Sequence, residues 1–136
     1  MAKIELPVRV YYEDTDAGGV VYYAKYLGFM ERARAEWLRE RGIEQDVLVK
    51  RDNIIFAVTR VEVDYRRPAR FDELLVVTAE IVERRKVGFT FHQEVRRKDD
   101  DELLCSGKVW AVCLDATRLR PRPLPESVLT EIDNGL

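Results

Sequence analysis

Residues 11–42 read YYEDTDAGGVVYYAKYLGFMERARAEWLRERG, an acidic glycine turn followed by a long amphipathic pattern. Apolar side chains recur there at three- and four-residue spacing, with charged side chains mostly between them, which is typical of a helix with one apolar face. The pattern predicts a helix from Tyr23 to about Arg41, ended by Gly42. The predicted apolar stripe consists of Tyr26, Leu27, Phe29, Met30, Ala33, Trp37 and Leu38.

After Asn53 the helical period gives way to an alternation of two, which is typical of β-strands. The predicted strands are Pro7–Tyr11 and four longer ones around Ala57–Tyr65, Leu75–Ile81, Phe89–Val95 and Val109–Cys113. One face of the first long strand is predicted to carry Ala57, Thr59, Val61, Val63 and Tyr65. Turns are predicted near Pro68, residues 86–88 and residues 99–101, and an irregular connection to a short terminal helix or tail at Pro121, Pro123 and Pro125.

The order of these elements predicts the fold class. Strands that follow one another without intervening helices form a mostly antiparallel sheet. One long helix against about five strands is an α+β arrangement, in which the sheet must wrap the helix to bury its apolar stripe. A chain of 136 residues without a linker or an internal repeat is expected to form a single domain, residues 1–136.

The composition argues against several functional classes. A formal net charge of −2 is unlike that of general nucleic-acid-binding proteins, which carry basic surfaces. No apolar run approaches the roughly 20 residues of a membrane span, and the N-terminus lacks the apolar core of a secretory signal. Cys105 and Cys113 lie in an alternating apolar segment and are expected to be buried, reduced thiols. We therefore expect a cytoplasmic protein without disulfides.

Asp16 is the leading candidate for chemistry. A carboxylate on a turn that enters a helix lies beside backbone N–H groups without helical partners, which can polarise a carbonyl group. Apolar residues follow the glycines, from Val20 to Tyr23, and predict that the carboxylate is partly dehydrated. The alternative is that Asp16 merely caps its own turn, which the same spacing allows.

Other catalytic groups are scarce. Asp14 and Asp16 could form a divalent-cation or phosphotransfer site, but no histidine or further acidic motif completes a metal shell, and no metal is predicted. The only histidine, His92, is expected on the polar face of a strand. A dyad of His92 with one of the two cysteines stays open, although burial of both thiols is favoured. Trp37 and Trp110 are expected in the core.

Three basic clusters are candidate phosphate sites, because arginine and lysine form charge-assisted hydrogen bonds with phosphate oxygens. The alternative for each cluster is a solvated turn. The clusters are residues 84–86 (Arg84, Arg85, Lys86), Arg66 and Arg67 with Arg70, and residues 96–98 (Arg96, Arg97, Lys98).

The stretch VRVYYEDTDAGGVVY from Val8, with the segment ERAR from Glu31, resembles the acyl-CoA thioesterases of the hotdog fold. It is most similar to the Tol-Pal-associated branch, which is related to 4-hydroxybenzoyl-CoA thioesterase. The resemblance continues through Tyr65-x-x-Pro-Ala-Arg-x-Asp72, the basic residues 84–86 and Pro121-x-Pro-Leu-Pro125.

This resemblance implies a long helix wrapped by a five-stranded antiparallel sheet, and dimers, often paired into tetramers, with active sites at the subunit interface. It implies hydrolysis of an acyl-CoA thioester, with Asp16 as general base or nucleophile and the Tyr23 backbone N–H as donor to the thioester carbonyl. Contacts to the coenzyme A phosphates would come from Arg84, Arg85 and Lys86. No cofactor is implied beyond the coenzyme A of the substrate.

The chain departs from the closest branch at Tyr23, where many members carry histidine. A backbone role survives this change, whereas a proton-transfer role of the histidine would be absent. The alternative function is a binding module that holds acyl chains on coenzyme A or on acyl carrier protein without hydrolysing them. The sequence leaves the preferred acyl group and the choice between dimer and tetramer open.

Overall fold

A computed structural model of the chain describes residues 2–136. A short 3₁₀ turn at Tyr12–Asp14 separates the first strand from the first helix. The strands are β1 (Ile4–Arg9), β2 (Ile54–Tyr65), β3 (Leu74–Arg84), β4 (Gly88–Arg97) and β5 (Leu103–Asp115). The helices are α1 (Lys25–Glu40), α2 (Gln45–Asp52) and α3 (Glu126–Gly135).

The five strands form one sheet in the order β1-β3-β4-β5-β2, and every neighbouring pair is antiparallel. Helix α1 packs on one face of this sheet and buries the side chains of Phe29, Met30, Ala33 and Trp37. The α+β prediction of one long helix against a five-stranded antiparallel sheet is therefore confirmed. Leu27, predicted in the apolar stripe, is instead 38% exposed.

Helix α1 lies to one side of the sheet, over β1, β3 and β4. Strand β2 is an edge strand in the sheet order. Because α1 lies away from it, the helix-side face of β2 is only partly covered. Its register pairs Val58 with Ala111 and Val61 with Val109, and paired residues of neighbouring strands point to the same face. Val58 is 48% exposed and Val61 is 41% exposed, so an apolar surface remains open on this edge.

The predicted face of β2 is wrong over part of its length. The register shifts between Val58 and Arg60, which leaves Thr59 as an extra residue in the strand. Such a bulge reverses the alternation, and Ala57 therefore lies on the opposite face from Val61. The period-two pattern in the sequence continues through the bulge and does not reveal it.

The sequence pattern does not predict helix α2. The helix carries one buried apolar residue, Leu48, which is too few for a recognisable helical period.

The prediction that Trp110 lies in the core is wrong. Trp110 lies on the outer face of β5, partly exposed, with the Arg60 guanidinium 4.7 Å from its ring centroid. The attraction between the Arg60 guanidinium and the indole ring stabilises Trp110 at this position outside the core. Trp37 is buried as predicted.

A buried polar network holds α1 to the sheet. Gln93 of β4 is fully buried, and its Nε2 donates to the backbone oxygens of Met30 (2.9 Å) and Thr78 (3.1 Å). The Arg34 guanidinium donates to Gln93 Oε1 at 2.9 Å, and burial lowers the Arg34 pKa. These bonds fix the position of α1 along the sheet, because unpaired polar groups in the core are costly.

Within residues 2–136, no helix is long and apolar enough to cross a membrane.

Candidate functional site

Asp16 lies in a tight loop that its own backbone closes. The Asp16 N–H donates to the Val20 carbonyl (2.9 Å), and the Asp16 carbonyl accepts the Gly19 N–H (3.0 Å). Gly19 has a φ of +79°, which only glycine adopts without strain. The carboxylate accepts the Gly18 N–H at 2.8 Å, as a turn cap does, and is exposed. The predicted partial dehydration of Asp16 is therefore wrong for the isolated chain.

The backbone just before α1 carries an unused donor. Tyr22 donates its N–H to the Asp14 carbonyl and accepts the Lys25 N–H, both at 2.8 Å. In residues 2–136 the Tyr23 N–H donates to no acceptor. Helix α1 begins at Lys25, two residues later than predicted, so Tyr23 belongs to the turn that enters it. An unpaired N–H at the positive end of a helix is suited to an oxyanion.

Asp14 has a structural role that the sequence did not indicate. Its side chain is buried, and the carboxylate accepts the Tyr11 N–H (2.9 Å) and lies 3.6 Å from Lys25 Nζ. Asp14 and Asp16 therefore differ in environment, the one buried and the other exposed. Within the described residues, no group of three histidine, cysteine, aspartate or glutamate side chains could hold a metal ion.

The segment after β2 fixes the turn that carries Asp16. The Val21 N–H donates to the Ala69 carbonyl, and the Ala69 N–H donates to the Tyr26 hydroxyl, both at 2.9 Å. Burial raises the pKa of Tyr26. A cavity of about 250 Å³ opens beside this junction, lined in part by Tyr23, Tyr65 and Arg66. Ala69 occupies a position quoted for the resemblance and Tyr26 belongs to the predicted apolar stripe, but nothing in the sequence indicated that they bond to each other.

The basic residues 84–86 lie at the opposite end of the protein from Asp16. In the loop of Asp16, Val20 pairs with Arg70, four residues before β3 begins at Leu74, whereas Arg84 is the last residue of β3. Strand β3 has 11 residues, which corresponds to roughly 33 Å at about 3.3 Å per residue. The structure does not bring Asp16 and the basic triplet together within one chain.

The three basic residues also differ in their partners. Arg84 donates to both carboxylate oxygens of Asp133 in α3, at 2.9 and 2.8 Å. Arg85 pairs with Glu83 and donates to the Thr90 hydroxyl. Lys86 is exposed, and its side chain forms no hydrogen bond or ion pair within residues 2–136. Lys86 is therefore the member of the triplet most available to a ligand.

The thiol alternative is not supported by the geometry. Cys105 and Cys113 are buried on the helix side of β5, and burial raises the pKa of Cys105 to about 12. His92 lies on the outer face of β4, with Nδ1 3.7 Å from Glu80 of β3. Side chains on opposite faces of a sheet do not form a dyad. The predictions of buried thiols and of an outward histidine are confirmed.

Comparison with known proteins gives consistent results. The family model of the thioesterase superfamily matches residues 18–104. The acyl-CoA thioester hydrolase YbgC of Escherichia coli is 43% identical over 125 residues, covering 92% of each chain. A probable thioesterase from Bartonella henselae is 33% identical, with a TM-score of 0.85 over 91% of this chain and 100% of its own. The 1,4-dihydroxy-2-naphthoyl-CoA thioesterase of Synechocystis has a TM-score of 0.90 at 22% identity, covering 98% and 97% of the two chains, a likeness of fold alone.

Proposed function

The chain belongs to the thioesterase superfamily and hydrolyses acyl-CoA thioesters to a free acid and coenzyme A, and we propose that Asp16 and the Tyr23 N–H perform the chemistry. The observation that carries this assignment is the unused Tyr23 N–H at the start of α1, on the same short loop as an exposed carboxylate. The two groups match the two needs of the reaction, which are an activated nucleophile and a donor for the oxyanion.

Asp16 would act in one of two ways. As a general base, it takes a proton from water, and the hydroxide adds to the thioester carbon. The Tyr23 N–H stabilises the negative oxygen of the tetrahedral intermediate. The intermediate then collapses, the carbon–sulfur bond breaks, and the proton on Asp16 returns to the coenzyme A thiolate. As a nucleophile, Asp16 forms a mixed anhydride with release of the thiolate, and water hydrolyses the anhydride. We expect no metal or redox cofactor, because a thioester is already activated.

A homodimer would complete the site. Within residues 2–136, the outer edge of strand β2 has no strand partner, and its surface at Val58 and Val61 is apolar and exposed. Two copies joined by a two-fold axis along this edge would pair β2 with β2 in antiparallel fashion. Antiparallel pairing brings opposite strand ends together, so the partner subunit's Lys86 would lie at the same end of the joined sheet as Asp16. Two such dimers would form the tetramer expected from the resemblance.

Within this dimer the coenzyme A phosphates would contact the partner subunit's basic residues. Lys86 is the principal candidate because it is exposed and its side chain forms no hydrogen bond or ion pair within residues 2–136. Arg85 would contribute after rearranging its contact with Glu83. Arg84 would have to give up two hydrogen bonds to Asp133, so its direct contribution would be the smallest.

We also propose the branch of the family to which the chain belongs and its cellular location. The motif from Val8 to Tyr22 supports the Tol-Pal-associated branch, and the buried, unpaired cysteines support a reducing, cytoplasmic location. An acyl carrier protein presents the same thioester group as acyl-CoA, and it is a second candidate substrate. Thiol release across short-chain, long-chain and aromatic acyl-CoAs and an acyl carrier protein would define the acyl group. Retention of activity in EDTA would support the metal-free mechanism.

The direct test of the assignment is Asp16→Asn, which keeps the size of the side chain and an oxygen that can accept the Gly18 N–H. We expect turnover to fall by about 10³-fold or more, with an unchanged melting temperature. Thiol release at more than a tenth of the normal rate would contradict the role of Asp16.

A heterodimer tests whether the site is shared. One subunit carries Asp16→Asn and the other carries Arg85→Met with Lys86→Met, with different affinity tags for purification. If the site is shared, one of the two sites combines an intact Asp16 with intact basic residues, and about half of the wild-type activity is expected at low substrate concentration. Activity no higher than the mean of the two mutant homodimers would contradict a shared site.

A further inference from the structure

We propose that Tyr65, the last residue of the edge strand β2, is a positioning residue that holds the oxyanion donor in place. The inference rests on the proposed role of the Tyr23 N–H. The Tyr65 hydroxyl donates a hydrogen bond of 2.9 Å to the Tyr23 carbonyl, across 42 residues of chain.

The carbonyl of Tyr23 is available because the first turn of α1 is tight. The Leu27 N–H donates to the Ala24 carbonyl at 3.2 Å, three residues back, and not to Tyr23, four residues back. In the described part of the chain, Tyr65 is therefore the donor that satisfies the Tyr23 carbonyl. Removal of this hydroxyl would leave the carbonyl to water and free the chain to rotate there.

The bond matters because Tyr23 lies between two peptide groups. Its N–H belongs to the planar group that it shares with the Tyr22 carbonyl, which accepts the Lys25 N–H at 2.8 Å. Its own carbonyl belongs to the next peptide group, which Tyr65 fixes. With both groups held, the φ and ψ angles of Tyr23 are determined, and so is the direction of the N–H. An oxyanion donor is effective only when its direction is fixed in advance.

The surroundings keep Tyr65 suited to this task. Its ring packs edge-on against Tyr26 and Tyr23, with ring centroids 5.6 and 6.3 Å apart. Tyr65 is 47% exposed, and burial of the rest of its surface raises its pKa, so the hydroxyl remains a protonated donor at neutral pH. Because Tyr65 ends the strand that would pair in the dimer, the same hydrogen bond links the subunit interface to the site.

The test is Tyr65→Phe, which keeps the ring and removes the hydroxyl. We expect kcat to fall roughly fivefold to tenfold, the effect of one lost hydrogen bond, with KM changed less than about twofold. The pH profile of kcat should keep its shape, because Asp16 is untouched. The matched control is Tyr12→Phe, which removes a hydroxyl without a bond in residues 2–136 and should leave kcat unchanged.

Three results for Tyr65→Phe would overturn the proposal. The first is an unchanged kcat. The second is a displaced pH profile, which would make Tyr65 a proton donor, and the third is a loss of kcat that a lower assay temperature restores, which would reflect instability. Asp16→Asn separates this proposal from the function itself. If Asp16→Asn is inactive and Tyr65→Phe is normal, only the role of Tyr65 fails. If Asp16→Asn is active, the proposed catalytic role of Asp16 fails, whatever the result for Tyr65→Phe.

Discussion

The Arg84 guanidinium holds the Asp133 carboxylate through two parallel hydrogen bonds of 2.9 and 2.8 Å. The pair fastens α3 to the end of β3, where α3 also buries Val128 and Ile132. A bidentate pair of this kind is directional as well as electrostatic. The sequence offered Arg84 as a phosphate ligand, whereas its geometry indicates that it anchors a helix.

We predict that the basic triplet divides into structural and ligand-binding members. Lys86→Met should raise KM for acyl-CoA roughly tenfold, the effect of one charge-assisted contact, and leave the melting temperature unchanged. Arg84→Met should lower the melting temperature and change KM less. The measurement is steady-state kinetics with acyl-CoA, compared with a truncated thioester that lacks the nucleotide. Equal effects of Lys86→Met on both substrates would argue against a phosphate contact.

The anchoring of α3 should depend on pH. Hydrogen bonds from Arg84 lower the pKa of Asp133 below its ordinary value of 3.8. A carboxylate with a lowered pKa stabilises the folded state above the unfolded-state pKa, and this contribution is lost as the pH falls through the folded-state value. Asp133→Asn should therefore lower the melting temperature at pH 7, and the difference from wild type should shrink below pH 3.8. A difference that is constant with pH would show that the charge is irrelevant.

Loss of the buried amide of Gln93 should destabilise the protein strongly. Gln93→Leu would leave the Arg34 guanidinium and two backbone carbonyls without their partner. We expect the free energy of unfolding to fall by about 2–4 kcal/mol, as measured by urea denaturation. His92→Gln, on the outer face of the same strand, is the control and should change it by less than about 0.5 kcal/mol. Similar decreases in the free energy of unfolding of both variants would contradict a stabilising role of the Gln93 network.

Charge on the open edge should prevent subunit pairing. Val61 lies on the helix-side face of β2 and is 41% exposed. Val61→Asp should give a monomer by analytical ultracentrifugation and lose most activity, because the proposed shared site would then be incomplete. The control is Val82→Asp on β3, whose side chain is 40% exposed but lies away from the β2 edge. A dimeric and active Val61→Asp protein would place the interface elsewhere.

The elements that the sequence predicted well are those with a long, regular period. Phe29, Met30, Ala33 and Trp37 recur on one helix face, and the structure buries all four. The sequence did not predict the irregular features, because each depends on a single residue or a short segment. The bulge at Thr59 leaves the alternation of residue types intact, and α2 buries one apolar side chain.

The candidate site divides in the same way. A local pattern of turn and helix start was sufficient to propose Asp16 and the free N–H groups beside it. The choice of the Tyr23 N–H among them came from the resemblance to the thioesterase family. The hydrogen bond from Tyr65 to Tyr23 spans 42 residues, and the ion pair from Arg84 to Asp133 spans 49. No local pattern encodes which distant side chains meet.

The sequence by itself determined the α+β class, the long helix, the antiparallel strands and the loop that carries Asp16, because hydrophobic period and turn chemistry act over a few residues. Only the tertiary structure decided that Arg84 anchors α3, that Tyr65 reaches Tyr23, and that Asp16 and Lys86 lie at opposite ends of the folded protein. These relationships follow from strand order, register and the off-centre position of α1, which depend on how the whole core packs.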